Sequence, residues 1–249
     1  RDLALSREEE ISYLQQHGVA GVWEKARYSI NEGLWGTSIG GMETLTSNGV
    51  LPEEAFPNQL QEFDSEVIEI RFEKGEPVGL NGTIMTPIDV IKRLNEWGGK
   101  YAIGRDVHVG DTIIGIKGRV GFEAAGPLML IKGHHLLEKH TLSKQQLFIK
   151  DQMAAFYGSL MHEGQYLDPV MRNIEAFLSS SQKNVTGTVE IRLAPYRFQL
   201  LGIQSDFDLM QSAVANYGET NKAWSAAEVK GFTKIFSNQT KLYYGLKDA

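Results

Sequence analysis

The chain has 249 residues, 42% hydrophobic and 22% charged, a balance that supports a sizeable folded core and excludes a disordered chain. Its net charge of −6, with no basic stripe, argues against a nucleic-acid surface, which needs clustered Lys and Arg to replace the counterions around phosphates. With no cysteine, disulfides, thiolate metal sites and Cys nucleophiles are excluded; apolar runs such as 127–131 fall far short of the ~20 residues of a membrane span.

The absence of cysteine and of a recognisable signal peptide gives the expectation of a cytoplasmic protein. In chain order, Ser6-Arg7-Glu8-Glu9 has capping-box spacing and predicts a short helix that stops at His17-Gly18. Residues 28–50, rich in Gly, Ser, Thr and Asn, read as a functional loop. Residues 65–72 alternate, with Glu66, Ile68, Ile70 and Phe72 on one side, and predict a strand. A turn at 75–77 and a partner strand over 78–84 follow. Thr86-Pro87 opens a helix with Ile88, Ile91, Leu94 and Trp97 as its buried stripe, ended by Gly98-Gly99.

Residues 106–119 return to strand character around 112–116, and helical patterns cover 143–162 and 168–180. Residues 185–193 and 197–203 predict a second hairpin turning at Ala194-Pro195-Tyr196, and 225–246 a final helix with an apolar stripe. Strands in antiparallel pairs interspersed with helices predict an α+β fold: antiparallel sheet, flanking helices and a C-terminal oligomerisation helix.

Three clusters are candidates for chemistry. The loop from Tyr28 to Gly41 sets two serines nine apart among glycines and a Leu-Trp pair, so it can bring hydroxyls and backbone N–H groups to a small polar ligand, or simply make local turns. The segment from Gly98 to Asp106 resembles a phosphate loop in composition only and reads as a tight helix-to-strand connection. His134 and Glu138 would share a helix face, with His135 and His140 nearby, but the tract is Lys-rich and matches no metal motif.

Several stretches, in order along nearly the whole chain, carry a resemblance. Arg1-Asp2-Leu3 with Ser6-Arg7-Glu8-Glu9-Glu10-Ile11 resembles the segment leading out of the ATP-binding domain of argininosuccinate synthases. Tyr28-Ser29-Ile30-Asn31-Glu32-Gly33-Leu34-Trp35-Gly36-Thr37-Ser38 is similar to that family's S-I-D-x-N-L-W-G-x-S signature. Leu94-Asn95-Glu96, Gly99-Lys100, Ile103-Gly104-Arg105 and Gly115-Ile116-Lys117-Gly118-Arg119 resemble its L-N…G-K…I-G-R…V-G-I-K-S-R block. Val185-Thr186-Gly187-Thr188-Val189 and the hairpin at Gly202 and Ser205 also have counterparts.

The resemblance implies an ATP-dependent ligase that condenses citrulline and aspartate to argininosuccinate, AMP and pyrophosphate, in arginine biosynthesis. It implies residues 1–222 as a synthetase and multimerisation domain with a partial citrulline site, and 223–249 as a helical arm in a homotetramer. ATP and Mg²⁺ would be bound mainly by an N-terminal domain whose Ser-Gly-Gly-Leu-Asp loop is nowhere in this sequence, so these residues alone are expected to be inactive.

Ser29 and Ser38 match the two serines of the family loop that contact citrulline. The resemblance places Gly40 and Gly110 where glutamates are expected and Phe122 where a tyrosine is expected, with Glu123 kept. Expected citrulline-binding positions are therefore Ser29, Ser38, Gly110, Phe122 and Glu43. Carboxylates suit an α-ammonium, so their loss leaves two alternatives: an N-acylated citrulline as substrate, or a replacement by Glu43 or Asp111. The rival from another class is a non-catalytic oligomerisation or ligand-binding module.

Overall fold

The computed structural model describes residues 5–19, 28–211 and 223–246. Among them the chain forms seven α-helices and two antiparallel sheets, the α+β arrangement read from the sequence. Helix α1 (Arg7–Gln16) starts at the predicted box: the Ser6 N–H donates to the Glu9 carboxylate at 2.6 Å, and Ser6 Oγ accepts from Glu9 N. It ends at His17, with Gly18 at φ 75°.

Residues 28–50 are more regular than their composition suggests. They open with a hairpin, β1 (Ser29–Gly33) and β2 (Gly36–Gly40), followed by a 3₁₀ turn over Met42–Leu45. Gly36 permits the reversal: its φ is 130°, and a Cβ there would lie 2.9 Å from the Cβ of Ala124. The strand signal was the alternation of Ile30 with Ser29 and Asn31, and of Ile39 with Ser38 and Gly40.

The larger sheet has the order β5-β4-β3-β8-β9. Its centre is β3 (Glu66–Glu73), where Ile68, Ile70 and Phe72 are buried as the alternation predicts. The expected partner over 78–84 is two strands, β4 (Glu76–Leu80) and β5 (Thr83–Ile84). The turn before β4 is Lys74-Gly75, and Asn81-Gly82 makes a second reversal, all four residues having positive φ. Asn-Gly is the favoured pair for such a turn. β8 (Gly187–Ala194) and β9 (Arg197–Gln204) form the predicted second hairpin through Pro195-Tyr196.

Helix α2 (Pro87–Lys100) begins with Thr86 accepting from Asp89 N. Val90 and Leu94 are its fully buried apolar side chains, whereas Ile88 is exposed, so the inward stripe is rotated from the expected one. Gly98 and Gly99 do not end the helix. They are buried within it, and a Cβ at Gly98 would lie 2.5 Å from that of Ala125 on α3 (Ala125–Thr141), so the small residue sets the helix–helix approach.

α2 and α3 lie against the larger sheet. Val90, Leu94, Met129 and Leu137 meet Ile68, Ile70, Val189, Ile191 and Leu193 in one core; burying each such side chain contributes about 1.5–3 kcal/mol. Helices α4 (Lys144–His162) and α5 (Pro169–Ser181) pack together, capped by Ser143 and Asp168.

The smaller sheet has the order β1-β2-β7-β6, with β6 (Arg105–Asp111) and β7 (Lys117–Glu123) joined by residues 112–116. These five residues are a turn rather than the predicted strand centre. The Thr112 hydroxyl donates to the Ile116 carbonyl at 2.7 Å, Gly115 has φ 78°, and Ile113 and Ile114 are exposed. The tail is two helices, α6 (Ala226–Phe236) and α7 (Asn238–Gly245), separated at Ser237, and neither contains a buried residue. The Gly-, Asn- and Thr-containing stretch 216–222 ahead of them lies outside the described residues. No helix among the described residues is long and apolar enough to cross a membrane.

Candidate functional site

The register of the smaller sheet sorts its side chains into two faces, because directly opposed residues point the same way and successive residues alternate. One row contains Asn31, Ser38, Phe122 and Asp106. The parallel row two residues along contains Ser29, Gly40, Val120 and His108, and beyond them Gly110 lies opposite Gly118. Ser29, Ser38, Gly40, Gly110 and Phe122 therefore share one face. Ser29, Asn31, Asp106 and His108 are exposed on it, and Ser38 and Phe122 partly so.

The opposite face is packed at its centre, while Ile30, Val107 and Val109 on the outer strands stay exposed. Ile39 and Gly121 are buried there, with Leu51 occupying the space a Cβ at Gly121 would need. Arg119 shares this face and donates to the carbonyls of Glu43, Thr46 and Gly49 at 2.9, 2.8 and 2.7 Å. That clamp seats residues 43–49 beneath the sheet, away from Ser29 and Ser38. The Tyr28 hydroxyl donates to the Glu43 carboxylate at 2.9 Å. Asp111 also lies on this face and pairs with Lys117 at 2.5 Å.

At the end of the same side, Glu32, Thr37, Glu123 and Arg105 form a third row. A cleft of about 330 Å³ opens there, lined by Glu32, Thr37, Asn58, Asn95 and Glu123 among others. Glu123 is 4% exposed and accepts from Arg105 Nε at 3.1 Å and from the Asn58 amide. Arg105 also donates to Glu53 at 2.7 Å and to the Asn58 carbonyl, and its guanidinium stands 4.5 Å from the centroid of the Phe56 ring. Asn95 joins three elements: its amide donates to the Leu34 carbonyl in the hairpin turn at 2.9 Å, and its Oδ1 accepts from Gly126 N in the first turn of α3 at 2.9 Å. The serine hairpin is thus pinned to α2 and α3 by one side chain.

Sequence reasoning named Ser29, Ser38, Gly110, Phe122 and Glu43 as binding positions. The structure brings the first four to one face and puts the Glu43 backbone beneath the other. Sequence reasoning missed the anchors Asn95, Arg105 and Arg119, although all three fall in the motif-bearing stretches. It also missed Asp106 and His108, which correct strand bounds would have aligned with Ser38 and Ser29. The segment 98–106 is the expected helix-to-strand connection, its Lys100 carbonyl accepting from the N–H groups of Gln61 and Glu62.

The histidine cluster is a buried polar network. Fully buried Glu138 accepts from Lys150 Nζ at 2.5 Å and from the Gln182 amide at 2.8 Å, while His134 Nε2 lies 2.9 Å from Gln182 Oε1. Burial holds the His134 imidazole below its ordinary 6.5, against the opposing pull of Glu138. Among the described residues no three His, Cys, Asp or Glu side chains are grouped to hold a metal ion.

The molecule is thus an α+β domain whose smaller sheet, with its two-serine hairpin pinned to α2 and α3, leaves one face open. Its sequence matches the family model for the arginosuccinate synthase C-terminal domain over residues 28–243. The argininosuccinate synthase of Methanocaldococcus jannaschii is 35% identical over 246 residues, covering 98% of this chain and 62% of the relative. That of Dictyoglomus turgidum is 36% identical over 245 residues, with the same coverage of 98% and 62%. That of Methanothermobacter thermautotrophicus is 33% identical, covering 98% of this chain and 61% of its own length. The chain belongs to the argininosuccinate synthase family and spans about three fifths of the length of these relatives.

Proposed function

We propose that this chain is the citrulline-binding and assembly part of an argininosuccinate synthase, a ligase that joins citrulline to aspartate at the expense of ATP. The observation that carries the reading is the shared open face of Ser29, Ser38 and Phe122, in a chain of this family. In the proposed reaction the ureido oxygen of citrulline attacks the α-phosphate of ATP and releases pyrophosphate. The aspartate amine then displaces AMP to give argininosuccinate.

The residues of this face have a positioning role: two hydroxyls on a rigid, pinned hairpin fix the amino acid so that its ureido oxygen meets the phosphate. ATP and Mg²⁺ are held mainly by protein outside these 249 residues, because no Ser-Gly-Gly-Leu-Asp loop occurs among them. The exposed apolar side chains of α6 and α7, including Phe232, Ile235, Phe236 and Leu242, serve assembly of a homotetramer in the cytoplasm.

The test is pyrophosphate release by the full-length protein. It should require ATP, citrulline and aspartate together, and residues 1–249 alone should release none. Release independent of citrulline, or release by residues 1–249 alone, would refute the reading.

A further inference from the structure

We infer that Asp106 is the carboxylate that receives the α-ammonium of the substrate, seated over Phe122 between Asp106 and Ser38, with His108 lying across Gly110 beside it. This rests on the citrulline reading above and assigns that site a residue that sequence reasoning did not.

Strand register eliminates the other carboxylates. An α-ammonium brings three N–H donors to a site and is costly to leave there without acceptors. Glu43 belongs to the segment that Arg119 clamps under the other face, and its carboxylate accepts from Tyr28. Asp111 points to that other face and is paired with Lys117 at 2.5 Å. Glu123 is 4% exposed and committed to Arg105 and Asn58. Asp106 stands directly opposite Phe122, which stands directly opposite Ser38.

Neighbouring strands are about 4.8 Å apart. A cation over the Phe122 position therefore has a hydroxyl on one flank and a carboxylate on the other, each one strand away, with an aromatic ring beneath it. Asp106 is exposed, and the one hydrogen bond its carboxylate makes among the described residues is from the N–H of its own neighbour Val107 at 2.7 Å.

The glycine at 110 fits the same arrangement. A Cβ there would come within 2.8 Å of His108 Nε2, so the imidazole of His108 folds over the glycine on this face. A long side chain at 110 and the observed position of His108 exclude each other. The two residues Asp106 and His108, i and i+2 on an edge strand, thus present a carboxylate and an imidazole side by side. That pair is complementary to the ammonium and carboxylate of a free α-amino acid, and an N-acylated amino acid, which has no ammonium, gains nothing from Asp106.

The experiment is calorimetric titration of citrulline and of N-acetylcitrulline into the full-length protein with an ATP analogue present. The wild type is compared with Asp106→Asn, with Asp111→Asn on the opposite face, and with the triple variant Asp106→Asn/His108→Ala/Gly110→Glu. We expect the wild type to prefer citrulline and Asp106→Asn to bind it at least tenfold more weakly, with N-acetylcitrulline unchanged. Asp111→Asn should bind as the wild type does, and the triple variant should recover part of the loss, because its Gly110→Glu change returns a carboxylate to the same face. Unchanged citrulline binding in Asp106→Asn, an equal loss in Asp111→Asn, or a wild-type preference for N-acetylcitrulline would overturn the assignment. A wild type that binds neither compound overturns the citrulline reading itself, and the assignment with it.

Discussion

Arg105 offers the sharpest energetic test of how the site is held. It sits at the start of the edge strand β6, next to Asp106, with its side chain only 10% exposed, and Glu123 beside it is 4% exposed. Replacing Arg105 with Met removes the charged bond to Glu123 at 3.1 Å and leaves that carboxylate buried with the Asn58 amide as its remaining partner. Breaking a buried pair from one side costs about 3–5 kcal/mol. The bond to Glu53, which is 51% exposed, adds at most about 1 kcal/mol, because solvent screens it. Replacing both partners, as Arg105→Met/Glu123→Met, removes the stranded charge and should cost no more than about 1–2 kcal/mol. The coupling between the two sites is then about 2 kcal/mol or more, well beyond the ~0.5 kcal/mol within which independent sites add. Urea unfolding of the full-length protein, followed for wild type, both single variants and the double, measures it. Additive single-variant losses would show that the pair does not act as a buried unit.

Three further outcomes follow from the geometry. Asn95→Ala strips the Leu34 carbonyl and the Gly126 N–H of their partner and should cost about 1–3 kcal/mol, with a raised KM for citrulline; Asn95→Asp, which keeps the acceptor for Gly126, should lose less, as thermal unfolding and steady-state kinetics will show. His134 is held below 6.5 by burial, so the unfolded chain binds its proton first: the stability this supplies is full above about pH 6.5 and is lost as pH falls toward the depressed folded value. The urea midpoint should therefore drop between pH 7.5 and 5.5 more in the wild type than in His134→Phe, and equal drops would contradict the assignment. Truncation after residue 222 removes the exposed apolar side chains of α6 and α7, and light scattering should then report a smaller assembly than the wild type gives.

Much of the fold was legible because local chemistry and tertiary context agreed. The Ser6–Glu9 box, the Thr86-Pro87 start and the period-two run at 66–73 needed nothing from elsewhere in the chain. Disagreement arose where a residue type has two uses. Gly98 and Gly99 read as a helix stop, yet Gly98 is where α3 approaches α2, a fact set by Ala125 far along the chain, and Gly99 is where the Asn58 side chain lies against the helix. The isoleucines at 113, 114 and 116 read as strand, yet Thr112 and Gly115 close a turn there. Placing that turn wrongly by a few residues hid the parity of β6, and with it Asp106 and His108.

At the site, the resemblance located the serines and the missing glutamates, and strand register was needed to say which remaining carboxylate faces them. The anchors Arg105, Arg119 and Asn95 act through backbone carbonyls and distant loops, which sequence spacing does not encode.

The most direct test of the citrulline site is titration of citrulline into the full-length protein carrying Ser29→Ala, Ser38→Ala or both. Each lost hydroxyl should cost about 0.5–1.5 kcal/mol, and the double variant about tenfold or more in Kd. Wild-type affinity in the double variant would contradict the account, because the face defined by Ser29, Ser38 and Phe122 would then not be where citrulline binds.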